Sequence, residues 1–187
     1  KININNLDYF WCGVDLMSGI LQMLTGASYV PPPPTTIGQA YGGGYYAGKI
    51  AVGGGGIATH YLIVAPKSTG ETSGKAWGTY GSTTSITSVI NGSTNSASLA
   101  ALGANYQAAI FCEGLTIGGY SDWYLPAKNE LEVLYYNLKP TTTANDTLSG
   151  SNANAVSPEP VNTNYTSGSP AQTSASGFKN EIGRAHV

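Results

Sequence analysis

The chain has 187 residues and a hydrophobic content of 41%, enough for one domain with a real core plus an appendage. Charged residues make up only 10%, against roughly 25% in ordinary soluble domains, so Ser, Thr, Asn, Gly and Tyr must build the surface. With a net charge of −2 and no lysine run or basic helix, the composition argues against nucleic-acid binding and is unusual for a cytosolic enzyme; it fits secreted or virion-exposed proteins whose neutral surfaces meet glycans or other surfaces.

Within residues 1–30, Leu16, Met17, Ile20, Leu21 and Leu24 recur at helical spacing and predict an amphipathic helix for packing or oligomerisation. Asp8, Asp15 and Gln22 interrupt this apolar stretch short of the ~18 residues a membrane span needs, and no basic leader precedes it, so neither a span nor a clear signal peptide is expected. Pro31 to Pro34 force extended geometry, predicting a semi-rigid spacer over 31–35 and a domain boundary.

The domain proper is expected over 36–180. Tyr45, Ala47 and Lys49 alternate with Tyr46, Gly48 and Ile50, and Tyr61 to Ala65 form a compact apolar run ended by Pro66; with Gly53 to Gly56 as the reversal, the pattern predicts a β-hairpin. Between Lys67 and Ser98 glycine, serine and threonine dominate, with Trp77 and Tyr80 as expected anchors of a loop or short irregular strands. A helix is predicted from Ala104 to Leu115, with Tyr106, Ala109, Ile110 and Cys112 inward and Gly118-Gly119 closing it. A second opens at Pro126 and carries Leu131, Leu134, Tyr135 and Leu138 on one face until Pro140 stops it. Residues 141–178 form a polar tract without periodicity, read as a functional loop or as a segment whose packing partners lie further along the chain.

The closing Ile182-Gly-Arg-Ala-His-Val187 resembles the translation of one frame of a common short-read sequencing adapter, so residues 181–187 are read as adapter-derived and set aside. That leaves His60 as the single histidine and removes the only arginine, Arg184. No zinc site can be assembled, and no cofactor or metal is expected. Cys12 and Cys112 form no CxxC; two buried free thiols are the expectation, with a disulfide left open.

The most specific internal signal is Ala109-Ile-Phe-Cys-Glu-Gly-Leu115, followed by Gly118-Gly-Tyr-Ser-Asp-Trp-Tyr-Leu-Pro126 and Glu130-Leu131. This run resembles the signature of the Lcl C-terminal domain family, named for a bacterial collagen-like adhesin. Thr36 to Gly48 and Tyr61 to Pro66 look like its phage-encoded members, which are tail-fibre or virion proteins. The resemblance implies an α+β, C-type-lectin-like fold with a hairpin, two helices and a long loop. It also implies a second sheet that this chain lacks, with the ligand-binding residues falling in that missing part. Cys112, Gly118, Gly119, Asp122, Trp123, Leu125, Pro126, Glu130 and Leu131 are then scaffold. A domain without its second sheet is expected to be aggregation-prone or molten.

The residues themselves support a scaffold role. Trp123, between Tyr120 and Leu125, is large enough to anchor both helices on the hairpin, while Asp122 and Glu130 suit the capping of the second helix better than an acid/base or calcium pair. Pro158-Glu-Pro160 resembles the Glu-Pro-Asn calcium motif of C-type lectins, but Val161 stands where the amide belongs. His60 reads as a surface or satisfied residue. Cys112 reads as a buried helix residue, although the formylglycine-generating oxidases, which share the fold, use cysteine chemistry. Tyr45, Tyr46, Tyr80 and Tyr165 are candidates for stacking on sugars, and equally for core positions.

The expected function is a non-enzymatic phage structural protein, a tail-fibre or adhesin-type module for host-surface recognition. Its partners would be a host-surface glycan or protein and other virion proteins, with homo-oligomerisation possible through the N-terminal segment. The alternative is a bacterial cell-surface adhesin for glycans or glycosaminoglycans; an oxidase is the remote third.

Overall fold

Strand β5, His60–Val64, organises the molecule, because its alternate side chains serve two different cores. The computed structural model describes residues 10–17, 32–144, 152–156 and 166–179. The remaining elements are β1 (Phe10–Trp11), β2 (Gly13–Met17), β3 (Ala40–Tyr41), β4 (Gly44–Ile50), the single turn α1 (Lys67–Gly70), β6 (Glu71–Thr72), α2 (Gly92–Ala101), α3 (Gln107–Glu113) and α4 (Lys128–Leu138). The class is α+β. A four-stranded antiparallel sheet runs in the order β2-β5-β4-β3, and β1 pairs with β6 in a second, two-stranded sheet.

The predicted hairpin is β4 and β5, joined through the glycine run, where Gly54, Gly55 and Gly56 all take positive φ. Strict alternation along β4 does not hold. A bulge between Tyr46 and Gly48 inserts one residue, so Ile50 joins Tyr45 and Ala47 on one face while Lys49 lies over the Tyr61 ring on the other, 5.9 Å from its centroid. Gly48 sits at φ +137°, and a Cβ there would come within 2.9 Å of Val133 on α4, so the kink needs glycine twice over.

One core packs Ala47, Ile50, Leu62 and Val64 against Val133, Leu134 and Leu138 of α4 and against Phe178. The other packs Tyr46, Ile63 and Ala65 against Ala108 and Cys112 of α3, Trp123 and Cys12. The sheet is thus covered by α4 on one face and by α3 with Trp123 on the other. Each fully buried aliphatic side chain in these layers contributes about 1.5–3 kcal/mol.

Several expectations are corrected. Leu16 and Met17 lie in β2, opposite Tyr61 and His60, instead of on a helix; β5 offers them an unpaired sheet edge, and tertiary pairing overrides the 3.6-residue spacing. Ile20, Leu21 and Leu24 lie outside the described residues. Part of the segment expected to stand apart before the proline spacer is therefore a strand of the domain's own sheet. The two cysteines are joined in a disulfide linking the turn between β1 and β2 to α3, with Cα atoms 5.5 Å apart; the free-thiol expectation fails because folding brings residues 100 apart in sequence into one buried cluster.

The second helix begins two residues after Pro126, which precedes the N-cap Ala127. The first ends at Gly114, and Gly118-Gly119 instead form a separate tight turn in which Ile117 and Tyr120 exchange backbone hydrogen bonds of 2.9 and 3.1 Å. On α3 the buried residues are Ala108, Ala109 and Cys112, and Ile110 is exposed. β1 and β6 pair apart from the four-stranded sheet, and α2 is an additional helix within the stretch read as loop. No helix among the described residues is long and apolar enough to cross a membrane.

Candidate functional site

Around the scaffold motif the structure builds a support for one loop, residues 73–91, between β6 and α2. Both ends of that loop are held. At its start the Ala76 carbonyl accepts from Ala108 N–H at 3.1 Å, and Gly78 lies against Tyr106, whose ring a Cβ would approach to 3.1 Å. At its end the Val89 carbonyl accepts from Asn129 N–H at 2.8 Å, and Asn95 Nδ2 donates to the Ser88 carbonyl at 2.6 Å. The loop is therefore fastened to α3, α4 and α2 while its middle projects.

Tyr80 stands at the tip of that projection. Ser82 N–H donates to the Thr79 carbonyl at 3.0 Å, and Gly81 takes φ +77°, as a type II turn requires at its third residue. The Tyr80 side chain is fully exposed, and Trp77 is about half exposed at 46%. The expectation that these two aromatics anchor the loop is corrected for Tyr80, whose ring faces solvent while backbone hydrogen bonds and a glycine turn hold its segment; Trp77 is more than half buried. From Ala76 to Cys112 the sequence carries no charged residue. Exposed Trp77, Tyr80, Val89, Leu102 and Ile110 all fall in that stretch. Uncharged surface with large exposed apolar side chains marks a contact region more than a solvating one.

Beneath the loop lies Glu130, buried at 3% exposure. Its carboxylate accepts from Gly92 N–H at 3.1 Å, from Ala127 N–H at 2.6 Å and from the Tyr124 hydroxyl at 3.3 Å. Gly92 opens α2 and Ala127 caps α4, so one carboxylate meets the positive ends of two helices. It also forms half of a capping box; Ala127 has no side-chain acceptor for the other half. Asn91 completes the start of α2 by accepting from Thr94 N–H at 3.0 Å.

The other motif residues take scaffold positions. Trp123 is fully buried, with its indole N–H donating to the Tyr120 carbonyl at 3.0 Å. Gly118 lies so close to Gly43 that a Cβ would strike its Cα. Leu125 N–H donates to Ser96 Oγ at 3.1 Å, tying the motif to α2, and Leu131 packs at the margin of the α4 core. Asp122 is exposed and does not join Glu130, which is buried and engaged by the helix starts. Cys112 sits in the cystine, so its sulfur is not a thiol nucleophile.

His60 Nδ1 lies 2.8 Å from Thr59 Oγ1 at the start of β5. Tyr45 packs edge-on against Phe178 and Tyr46 against Tyr61, so of the candidate tyrosines among the described residues only Tyr80 is open to a ligand. Burial, helped by the neighbouring Tyr61, pushes the Tyr46 hydroxyl above its usual range. Tyr165 and the Pro158-Glu-Pro160 motif lie outside the described residues. Among the described residues no group of three or more His, Cys, Asp or Glu is placed to hold a metal ion.

A buried asparagine network went unread in the sequence. Asn129 Nδ2 donates to Asn154 Oδ1 at 2.7 Å, Asn154 Nδ2 donates to the Ala51 carbonyl at 2.8 Å, and Asn152 Nδ2 donates to the Asn129 carbonyl at 2.9 Å. It joins the polar tract after α4 to the end of β4, and with Phe178 it shows that part of this tract packs on the domain itself. The helix α2 had readable signals in Asn91 as N-cap and Gly103 at φ +96° just past its end, but its Ser/Ala face shows no apolar period.

Compared with known proteins, the chain matches no family model, no curated protein and no solved structure.

Proposed function

We propose that the chain is a non-enzymatic surface-recognition module of the tail-fibre or adhesin type, carried on a phage virion and contacting the host through the loop over residues 76–90. The observation that carries this reading is the loop itself: uncharged, rich in Gly, Ser and Thr, fastened at both ends to helices, and presenting Tyr80 outward. Binding loops of unrelated recognition proteins have this composition, because Tyr and Trp supply contact area at low entropic cost and small hydroxyl residues supply adaptable hydrogen bonds. The resemblance to the phage-encoded Lcl C-terminal domains supports the same assignment.

The second reading, a bacterial cell-surface adhesin, draws support from the cystine. A Cys12–Cys112 disulfide forms and persists in oxidising surroundings such as the periplasm or the cell exterior. Fluorescently labelled full chain applied to a panel of bacterial cells tests the shared core of both readings, with retention expected on a subset of strains. Retention on none would reject surface recognition. Antibody detection of the chain in purified virions or on the producing cell separates the two carriers.

A further inference from the structure

We infer that Asn91-Gly92 is a latent deamidation site, held closed by the hydrogen bonds that start α2 and converted only when that helix start opens. The inference is independent of the surface-recognition reading and gives the end of the loop between β6 and α2 a covalent lifetime.

The chemistry lies in the pair itself. Asn91 is the single asparagine of the chain that is followed by glycine. With no Cβ on the following residue, the backbone nitrogen reaches the asparagine side chain unhindered. The Gly92 nitrogen gives its proton to solvent base and attacks Asn91 Cγ. The N–Cγ bond forms, the Cγ–Nδ2 bond breaks, and Nδ2 leaves as ammonia, taking a proton back from solvent. The cyclic imide then takes up water. Cleavage of its N–Cγ bond gives aspartate; cleavage between the Asn91 carbonyl carbon and the Gly92 nitrogen gives isoaspartate, with the main chain rerouted through the side chain. Nothing is oxidised or reduced, and water is the sole co-reactant. Asn91 is exposed, so water has access to it.

Three features of the fold oppose the first step. The nucleophile, Gly92 N–H, is buried and donates to the Glu130 carboxylate at 3.1 and 3.3 Å. Asn91 Oδ1 accepts from Thr94 N–H at 3.0 Å as the N-cap, which fixes the side chain that carries Cγ. Asn91 also has ψ 76°, so the Gly92 nitrogen lies on the far side of the Cα–C bond from Cβ, whereas ring closure needs both on one side. Turning that bond breaks the hold of Glu130 or of Thr94, so the attack waits on local opening. The same geometry opposes a role for Glu130 as the base that hastens attack, because the nitrogen it holds points away from Cγ.

Packing also accounts for so labile a pair at this position. A Cβ on residue 92 would strike Glu130 Oε2 and lie 2.6 Å from the Ala127 nitrogen, which demands glycine, while residue 91 must carry a short acceptor to cap α2. Conversion is one-way. Isoaspartate adds a methylene to the main chain between the two residues, so the cap on Thr94 and the bond from Gly92 to Glu130 no longer form together, and the end of the loop loses that hold.

The test follows Asn91 conversion in the full, oxidised chain by mass spectrometry of its proteolytic fragments, with the chain natively folded and unfolded in urea. The native chain is expected to convert at least about tenfold more slowly. That slowing should agree within about threefold with the protection of the Gly92 amide against hydrogen exchange, since one opening governs both. Glu130→Ala should speed native conversion about tenfold or more, and by more than Gly44→Ala does at urea concentrations that give the two variants equal unfolding free energy. In the purified isoaspartate form, the Gly92 amide should exchange at close to the unfolded rate.

Equal conversion in native and unfolded chains, or a slowing that departs more than about tenfold from the Gly92 protection, overturns the inference. Conversion in Glu130→Ala that is unchanged, or no faster than in Gly44→Ala, assigns the closure to the fold as a whole and overturns it too. Slower conversion in Glu130→Ala makes the carboxylate a base and does the same, as does an isoaspartate form that keeps Gly92 protected. The exchange comparison uses the parent chain, so it decides the matter even where Glu130→Ala does not fold.

Discussion

The carboxylate of Glu130 on α4 accepts a hydrogen bond from the backbone N–H of Gly92 at 3.1 Å, joining the first turn of α2 to the first turn of α4 across 38 residues of sequence. The same group accepts from Ala127 N–H, so it satisfies a donor at the start of each helix and places its charge at both positive ends. The loop between β6 and α2 runs straight into Gly92, so Glu130 holds the end of that loop.

Replacing Glu130 with Ala strands buried N–H groups and removes charge-assisted bonds. A loss of about 2–4 kcal/mol is expected from urea unfolding, with Glu130→Gln intermediate because it keeps one acceptor oxygen. A loss below about 0.5 kcal/mol would show that water replaces the carboxylate at no cost.

Reducing the Cys12–Cys112 disulfide releases a closed loop of 100 residues, and chain-entropy arguments put its contribution at up to about 4.7 kcal/mol. The paired Cys12→Ser and Cys112→Ser variant should be destabilised by about 2–5 kcal/mol. Proteolysis should then cut the chain near β2 well before the hairpin, since among the described residues β2 is the edge strand of its sheet. Equal protease resistance with and without reductant would contradict this.

Gly44 sits under the Trp123 ring, where a Cβ would lie 2.9 Å from the ring edge and collide with the Val64 carbonyl. Backbone on one side and a fully buried indole on the other leave no room to yield. Gly44→Ala is expected to cost about 1–3 kcal/mol by overpacking and to shift the tryptophan emission, read by thermal melting and fluorescence. An unchanged melting temperature would mean the sheet can move away from Trp123.

Glu71 on β6 is half-buried, and burial raises its carboxyl above the usual 4.5, with Lys67 at 3.8 Å pulling the other way. A raised folded pKa means that the native state holds its proton more tightly than the unfolded chain. Its stabilising effect is therefore full below pH 4.5 and is lost as pH rises through the folded value. Unfolding free energies of the parent and of Glu71→Gln, compared at pH 4 and pH 7, should diverge in favour of the variant at the higher pH. A difference independent of pH would show that Lys67 fully compensates the burial.

Much of the frame was legible in residue order. The apolar run from Tyr61 to Ala65 and the glycine reversal before it specify β5 and its hairpin whatever surrounds them, because a two-residue period and flexible turn residues act locally. The i, i+3, i+7 spacing of Leu131, Leu134 and Leu138 likewise makes α4, and Trp123 is too large an apolar surface to leave in water. The absence of charge from Ala76 to Cys112 is also plain in the sequence, and it is the property on which the proposed site depends.

What residue order could not decide is where long-range partners meet. Leu16 and Met17 become strand because β5 has an open edge; the cysteines pair because α3 and the turn after β1 converge on Trp123; the bulge at Ala47 moves Ile50 to the face of α4. The direction of Tyr80 belongs to the same class. Local composition makes it a natural anchor of a glycine-rich loop, yet Ala108, Asn129 and Asn95 hold that loop through its backbone, and the Tyr80 ring is left outside. Periodicity and turn chemistry act between near neighbours in the chain, whereas the burial of a ring depends on groups that only the folded chain brings beside it.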